Sequence, residues 1–505
     1  MRMPRNGAVH CGGAASARPL VGTVVGMGRG VGFGRRVAVL LAAASIAGAC
    51  SFGTTTNVAG GPSTTADPLD RLGVFVIEPP STVPTTTLPQ PEVEAPVTDF
   101  YDQERLLTFE LTLPPENLAA IDADPAAEEY VEASLRVGDI EAPRVAVRYK
   151  GSIGAFAFCL EGDDVQNPTG ERTCTKLSLK IDINRVDPEL ELLGLRKLQL
   201  HSMNLDPTHL RERLAYWMFD QAGVAAPRST HARVVINGEY LGIYALVEQV
   251  DGRFTRRQFP DGTGNLYKEV WPFDNFGAVQ DAPQLIEGLR TNEDEDPTAG
   301  IIQSFAQALL DAGGDRDAVE AVLRERADFD ELISWMAVDL IIDNDDGPRH
   351  FYCDQGFCGN HNYYFYEDPT SLKVHVVPWD MDNAFENITQ HRNPGIPIAD
   401  DFGEVTADCA IFNLPPSELG QRSAVCDPFF AALALFRPEI DARIAELLAG
   451  PLAIDIVNAQ LDAWVEQITP PIEEAIALHD DAVPLNVWRS EVIRLRGDLS
   501  TVYRG

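Results

Sequence analysis

The sequence predicts an α+β protein in which a mainly β part precedes a mainly α part. Two observations lead to this prediction. Segments in which apolar and polar residues alternate, as in half-buried strands, are concentrated between about residues 105 and 250. Segments in which apolar residues recur every three or four positions, as in amphipathic helices, dominate from about residue 300 onward.

The first part of the chain begins with strands. Alternating segments start near Leu106 and read "LLTFELTL", "PRVAVRYKG" and "LSLKIDIN". Two further segments, "STHARVVI" and "EYLGIYALVEQV", are separated only by Asn237 and Gly238. Because Asn-Gly readily supplies the two positive φ angles of a tight turn, these segments predict a β-hairpin.

A helix is predicted between these strands, over the segment "LRERLAYWMFDQAG". Asp206 is its expected N-cap, Pro207 its expected first helical residue and Gly223 its expected end. Later helices are predicted for most of residues 430–505 and for "GIIQSFAQALLDAG", "RDAVEAVLRERA" and "FDELISWMAVDLIID".

Residues 1–49 have the composition of an export signal, with arginines, no acidic residue and an apolar run too short to span a bilayer. The signal ends in Ala47-Gly48-Ala49-Cys50, which resembles a bacterial lipobox and predicts lipidation of Cys50. A signal that is cleaved without lipidation is the alternative. Residues 50–98 are rich in Thr, Pro, Ser and Gly and predict a tether, and residues 99–505 predict the folded domain. We therefore expect an exported protein, either anchored by lipid to the outer face of the membrane or secreted.

The net charge of −36 limits the classes of partner. Nucleic acid is excluded because no basic stripe is present to neutralise phosphates. A basic, Ser-rich protein would suit this charge, and simple solvation of an acidic surface explains it equally well. The sequence carries no signal for an oligomeric state.

Six cysteines fall in the predicted folded domain as three sequence-local pairs. In an exported protein this even number predicts disulfides. A zinc site is the alternative, but the spacing of the cysteines and histidines is not that of usual zinc ligands. The expected disulfides are Cys159–Cys174, Cys353–Cys358 and Cys409–Cys426.

The segment "HVVPWDMDNAF" places Asp380 and Asp382 directly after an apolar run. Side chains alternate along a strand, so two carboxylates two positions apart fall on one face. They repel each other unless a cation or a shared proton relieves the repulsion. A metal site, an acid–base pair and a plain polar turn all fit this pattern. Asn362, in a nearby loop flanked by aromatic residues, would suit a Mg²⁺ site because Mg²⁺ prefers oxygen ligands.

Several stretches together resemble the CotH family, the spore-coat-type atypical protein kinases. They cover roughly residues 105–390 in family order and read "VRYKGS", "KLSLKIDIN", "GLRKLQLHSMNLDPTHLRERLAYWMFDQAGVAAPR", "ARVVINGEYLGIYALVEQVD", "GNLYK", "DNDD…HNYYFY" and "VVPWDMDNAF". The resemblance implies an atypical protein-kinase-like fold with a mainly β N-terminal lobe and a mainly α C-terminal lobe. It also implies Mg²⁺-dependent transfer of the γ-phosphate of ATP to a Ser or Thr hydroxyl of a partner protein.

For the nucleotide, the resemblance implies that Lys180 binds phosphate and that Glu212, on the following helix, is its partner. Glu248 lies where the second strand of the predicted hairpin runs into the expected nucleotide-binding segment. Lys268 of "GNLYK" is expected close by.

For phosphoryl transfer, the resemblance implies that Asp346 orients the acceptor hydroxyl, and the adjacent Asp345 is the alternative. Asn362 and Asp380 are expected to hold Mg²⁺. Asp382 is expected to support them or to bind a second ion.

The loop between Asp346 and Asn362 departs from the family pattern because it is longer and carries Cys353 and Cys358. This insertion and the export signal favour an alternative function, a kinase-like fold that serves as a cell-surface binding or envelope-organising module without turnover. The joint presence of the lysine, the glutamate, the loop aspartate and the metal ligands favours the enzyme.

Overall fold

The structure is a computed structural model that describes residues 95–504, apart from 152, 157, 163, 165–166, 296, 355, 390–401, 403–407 and 414–419. The predicted signal, Cys50 and most of the predicted tether lie outside the described residues. Tertiary packing begins before the first predicted strand, since Val97 and Phe100 are already buried.

Seven strands of the described chain close into a barrel in the order β1-β2-β3-β4-β5-β7-β6, with β1 and β6 paired in parallel. The strands are β1 Leu107–Thr112, β2 Val131–Val137, β3 Ile140–Tyr149, β4 Leu179–Asp182, β5 Lys197–His201, β6 Ser229–Ile236 and β7 Glu239–Val247. Three helices accompany them in sequence, α1 Pro115–Ala123, α2 Ile153–Phe156 and α3 Arg211–Gln221.

The barrel is filled by every second side chain of its strands. Phe109, Val147, Ile181 and Leu200, from four different strands, are fully buried in this interior. The alternate residues of a closed barrel point outward, and Lys180 is therefore on the outer surface. Side chains on this outer surface of β3, β4 and β5 contribute to the site described below.

The strands β6 and β7 form the predicted hairpin. Ile236 pairs with Glu239 across the turn, and Asn237 and Gly238 have φ angles of 51° and 84°. Both angles are positive, as a two-residue type I′ turn requires. The prediction is confirmed.

Helix α3 begins later than predicted. It starts at Arg211, and Pro207 lies in a preceding turn, because His209 adopts a left-handed φ of 58° that an α-helix does not contain. Asp206 still serves the helix start, since its side chain accepts hydrogen bonds from the N–H groups of Arg211 and the residue before it, both at 2.9 Å. Gly223, with a φ of 79°, ends the helix as predicted.

The second part of the chain is mainly helical. Its helices are α4 Gly252–Gln258, α5 Ala282–Glu287, α6 Gly300–Ala312, α7 Arg316–Arg326, α8 Phe329–Ile341, α9 Pro428–Ala434, α10 Arg437–Ala449, α11 Ile454–Leu478 and α12 Leu485–Val502. Its strands are β8 Leu266–Lys268, β9 Phe351–Asp354, β10 Phe357–Gly359, β11 Tyr363–Asp368, β12 Lys373–Pro378 and β13 Gly420–Arg422. They form two small sheets, in the orders β12-β11-β8 and β10-β9-β13. The predicted α+β fold class, with a β-rich N-terminal lobe and a helical C-terminal part, is confirmed.

Across the described ranges, no single helix is both long and apolar enough to cross a membrane. The helices α10 and α11 meet that criterion only together, as a pair bent by 58°.

The predicted cysteine pairing is confirmed. Disulfides join Cys159 to Cys174, Cys353 to Cys358, and Cys409 to Cys426. The second of these joins β9 to β10, in the inserted loop. Three disulfides are typical of a protein that folds outside the cytoplasm.

Two hydrophobic clusters hold the described chain together. One fills the barrel, and the other fills the helical part around Trp271, Trp335 and Phe429. Helix α3 belongs to the second cluster through Leu214, although it lies between barrel strands in sequence. Glu212, in the first turn of α3, is thereby held against the helical part while its side chain reaches back to β5.

The Asp206 side chain should contribute more to stability than an ordinary helix cap. Asp206→Ala removes the acceptor for several buried N–H groups, and we expect a loss of about 3 kcal/mol in the free energy of unfolding. Asp315→Ala is the matched control, because Asp315 caps the equally long α7 at the surface through one hydrogen bond. The control should lose only about 1 kcal/mol in urea denaturation. Equal losses would contradict the role of the buried carboxylate.

Candidate active site

The open end of the β11–β12 hairpin carries two of the predicted metal ligands. Tyr363 and Pro378 form the last pair, and Asn362 and Asp380 lie just beyond them. The N–H of Trp379 donates to the carbonyl of Asn362 at 3.2 Å, which keeps the two chains together. Asn362 and Asp380 both have left-handed backbones, with φ angles of 65° and 57°. Such angles in non-glycine residues are uncommon and cluster at functional sites.

The backbone of Asp380 is fixed while its carboxylate is left open. Its N–H donates to the hydroxyl of Tyr216 on α3 at 3.0 Å. Its side-chain oxygens have no hydrogen-bond donor among the described residues. The adjacent Trp379 is buried and meets His201 and Tyr364 edge-on, at 6.0 and 5.5 Å between ring centres. Asp380 therefore presents an acceptor-only group on a rigid base.

Further carboxylates surround Asp380. Burial, followed by the charge of Asp380, raises the pKa of Glu212 well above its usual value. Burial, followed by the charges of Asp380 and Glu212, does the same to Asp382, and Asp346 adds to the effect. Like charges placed this close favour the uptake of a cation.

A lysine that the sequence analysis missed lies opposite these carboxylates. Lys150 directly follows β3, and its Nζ lies 2.7 Å from Nε2 of His201, whose Nδ1 lies 2.9 Å from both carboxylate oxygens of Glu212. Burial lowers the pKa of Lys150 to about 8, against the opposing effects of Asp380 and Glu212. Its position in "VRYKGS", at the end of an alternating segment, was the available sequence signal.

Lys180 lies on the same outer barrel surface as Lys150, in the next row of cross-strand neighbours. It pairs with Arg148 on β3 and Gln199 on β5. Its side chain makes no hydrogen bond or ion pair with any residue that the structure describes. Burial, followed by the charges of Lys197 and Arg148, lowers its pKa to about 8. Glu212 is linked through His201 to Lys150 rather than to Lys180. The role of Lys180 in binding phosphate stays a prediction.

The other two predicted nucleotide residues have different surroundings. Lys268 ends β8 opposite Tyr364, and it is one of the charges that lower the pKa of Lys150. Glu248 follows β7 and is buried, and its carboxylate accepts hydrogen bonds from Arg228 and Arg257. Lys268 therefore adjoins the site, whereas the Glu248 carboxylate is occupied by two guanidinium groups.

The carboxylate of Asp346 accepts four side-chain hydrogen bonds. Tyr352 and His361 donate to one oxygen at 2.6 and 2.9 Å, and Asn362 and Asn383 donate to the other at 3.1 Å each. Burial alone would raise the pKa of Asp346, but His361 and Tyr352 lower it below its usual value. Conversely Asp346 outweighs burial and raises the pKa of His361. The structure thus joins Asp346 to the predicted metal ligand Asn362.

Asp345 is oriented differently from its neighbour. It is almost fully buried, and its carboxylate accepts a hydrogen bond from Asn387 at 2.8 Å. The loop that carries both aspartates is fixed by a buried ion pair in which Arg349 donates to Asp339 of α8 at 2.7 Å. Asn344 donates to the same Asp339 at 2.8 Å.

A three-residue group of possible metal ligands consists of His201, Glu212 and Asp380, whose donor atoms lie within 4.8 Å of one another. Both ring nitrogens of His201 already have partners, and the ammonium group of Lys150 beside it would repel a metal ion. His201 is therefore a poor ligand.

An oxygen donor set fits Mg²⁺ better. The nitrogen of the Asn362 amide donates to Asp346, so the amide oxygen remains available as a ligand. Asp380 contributes an open carboxylate, and Asp382 lies two residues further on. Amide and carboxylate oxygens are the donors that Mg²⁺ selects.

The site has the parts of a kinase-like protein: a barrel lobe with a buried lysine, a helix glutamate linked to it, and an Asn–Asp pair beside a loop aspartate. The family model described as CotH kinase protein matches residues 147–482, about two thirds of the chain. The chain belongs to the CotH family.

The curated relatives are distant. Inner spore coat protein H of Bacillus subtilis (strain 168) is 24% identical over 197 residues, which are 37% of this chain and 50% of that protein. Spore coat protein homolog 1 of Rhizopus delemar is 22% identical over 217 residues, which are 41% of this chain and 35% of that protein. The chain spans half or less of the length of these relatives.

One structural comparison is with a chain of the Shewanella oneidensis MR-1 HipA, HipB and operator DNA complex. It is 14% identical and covers 68% of this chain and 67% of that chain, with a TM-score of 0.27. This similarity is too weak to bear on the site.

The buried ion pair should be essential for the loop that carries Asp346. Arg349→Met leaves the Asp339 carboxylate buried without its cation, and we expect a loss of about 3–5 kcal/mol in the free energy of unfolding. Urea denaturation measures this loss. Arg324→Met, which breaks an exposed pair with Glu320, is the control and should cost less than about 0.5 kcal/mol. A loss in Arg349→Met no larger than in the control would show that the loop is fixed by other contacts.

Proposed function

We propose that this protein is an exported, ATP- and Mg²⁺-dependent protein kinase that transfers the γ-phosphate to a Ser or Thr hydroxyl of a partner protein. Membership of a family described as kinase proteins supports the proposal. The observation that carries it is the open Asp380 carboxylate at the hairpin end, with Asn362 beside it and the Lys150 ammonium opposite.

Asn362 and Asp380 would hold Mg²⁺, with Asp382 as a further ligand. The ion would neutralise the charge of the transferring phosphate. Until it binds, the protein carries the repulsion between these carboxylates and Glu212, which burial strengthens.

Lys150 and Lys180 would contact the phosphates of the nucleotide. Both lie on the outer barrel surface, and Lys180 forms no ion pair among the described residues. Lys268 borders the same space from β8 and would add a third cation. In a chain with a net charge of −36, this grouping of lysines favours a polyanionic ligand at this surface.

Asp346 would orient the acceptor hydroxyl, in preference to Asp345, because Asp346 contacts Asn362 and lies less deeply. A carboxylate has about four acceptor positions, and all four of those on Asp346 are taken. The acceptor hydroxyl would therefore replace one donor. His361 and Asn383 are the half-buried donors, and the acceptor would approach from their side.

The occupied Asp346 also supports the second candidate function. A binding or envelope-organising module without turnover would keep the same fold and fill its catalytic carboxylate with its own side chains. Lipid anchoring at Cys50 and a basic, Ser-rich protein partner would suit either function. We favour the kinase because the Asp380 carboxylate has no hydrogen-bond donor and the Lys180 ammonium has no hydrogen bond or ion pair among the described residues.

Transfer of labelled γ-phosphate from Mg-ATP tests the proposal, with the chain itself and a basic, Ser-rich protein as acceptors. Asp380→Asn and Asp346→Asn should each lower the rate by about 100-fold or more, because each removes a charge that acts in the transition state. Asp354→Asn, an exposed residue of β9, is the control and should transfer at the wild-type rate. Absence of both transfer and Mg-dependent ATP binding in the wild type would refute the kinase. Binding without transfer would favour the second function.

Mg²⁺ should raise the melting temperature of the wild-type protein by a few degrees, because it binds the folded state and relieves carboxylate repulsion. Asp380→Asn removes one repelling charge while keeping a residue that tolerates positive φ. We therefore expect this variant to melt higher than the wild type in the presence of a chelator and to gain nothing from Mg²⁺. A thermal melt with and without chelator measures both effects. An undiminished Mg²⁺ response in the variant would remove Asp380 from the metal site.

A further inference from the structure

A histidine occupies the position between the site lysine and the helix glutamate. His201 ends β5 and is buried, and its two ring nitrogens have different partners. Nε2 lies 2.7 Å from Nζ of Lys150, and Nδ1 lies 2.9 Å from both oxygens of Glu212. Lys150 and Glu212 are thus connected through the ring.

The protonation of His201 fits this connection. The ammonium of Lys150 lies 2.7 Å from Nε2 and needs an unprotonated nitrogen there, so the ring is neutral. Burial, followed by the charge of Lys150, lowers the pKa of His201 in the same sense. A neutral imidazole has one donor and one acceptor nitrogen. An ammonium can only donate, which makes Nε2 the acceptor and leaves the proton on Nδ1, facing the Glu212 carboxylate. The ring therefore carries a continuous donor–acceptor chain from Lys150 to Glu212.

The surrounding side chains hold the ring and the ammonium in one place. Nζ of Lys150 also donates to Oε1 of Gln199 at 2.9 Å, two residues before His201 on β5. The ring of Trp379 lies 5.7 Å from Nζ and meets the His201 ring edge-on. Two of the three ammonium donors are thus directed along β5, and one remains for a ligand.

We propose that His201 is a positioning residue that links Glu212 to Lys150 and sets where the ammonium meets the nucleotide phosphate. The proposal rests on the proposed function for its ligand, but the link itself is present without nucleotide. Lys150 and Glu212 thus form a three-residue chain with His201 instead of a direct lysine–glutamate pair.

The first test needs no nucleotide and follows the reactivity of Lys150. The chain has only six lysines, and each can be followed by mass spectrometry after amine labelling. His201→Leu removes both hydrogen bonds and should increase the labelling rate of Lys150 by about five-fold relative to Lys373 on β12. His201→Gln should stay close to the wild type, because an amide offers one donor and one acceptor at a similar separation. Glu212→Gln tests the far end of the chain, should His201→Leu fail to fold. Unchanged labelling of Lys150 in these variants would overturn the proposal.

The second test measures the consequence for the ligand. His201→Leu should weaken Mg-ATP binding by about ten-fold in a calorimetric titration, and His201→Gln should restore most of the loss. Adding His201→Leu to Lys150→Met should cause no further loss, because the histidine acts through the lysine. Additive losses would contradict that pathway. If the variants show the labelling effect but the wild-type protein binds no Mg-ATP, the proposed function is refuted and the His201 link remains established.

Discussion

Electrostatic repulsion among closely placed carboxylates is the constraint on which the arrangement of the site depends. Glu212, Asp380 and Asp382 come from α3 and from the end of a β-hairpin. The charge of Asp380 raises the pKa of both Glu212 and Asp382, and Glu212 adds to the effect on Asp382. The packing of α3 in the helical core and the pairing of β11 with β12 hold them together despite this cost. On the barrel side, the Lys150 ammonium supplies the opposing charge. The lobes thus meet across a charge imbalance that a divalent cation would correct.

The sequence was most informative where a structural requirement is local. Alternation located five of the seven barrel strands, and β2 and β5 were not predicted. Asn237-Gly238 located the turn because its two positive φ angles depend on those two residues alone. The paired cysteines could be predicted for a similar reason, since the members of each pair lie close together in sequence. The grouping of Asn362 with Asp380 came from the resemblance to the family. The start of α3 could not, because it depends on the left-handed backbone of His209.

The lysine of the site shows why the rest required the structure. Lys150, directly after β3, and Lys180, on the neighbouring strand β4, both occupy outward positions. Nothing in either segment reveals the register between the two strands. That register pairs Lys180 with Arg148, so Lys150 lies one row nearer to His201. Resemblance to a family gave the parts, but cross-strand register decided which lysine meets the glutamate. The four hydrogen-bond donors to Asp346 could not be predicted either, because they come from segments that only tertiary packing brings together.

The left-handed backbone at Asn362 and Asp380 has a consequence for how this site can diversify. Asn and Asp tolerate positive φ far better than β-branched or bulky residues do. At the proposed metal site, both positions would therefore select the same small polar residues twice, once for the oxygen they offer and once for the conformation they accept. Loss of metal binding would relax only the first requirement. A descendant without catalysis would accordingly keep Asn, Asp or Gly at these positions, and the presence of such residues in a relative is weaker evidence for activity than the survival of its lysine.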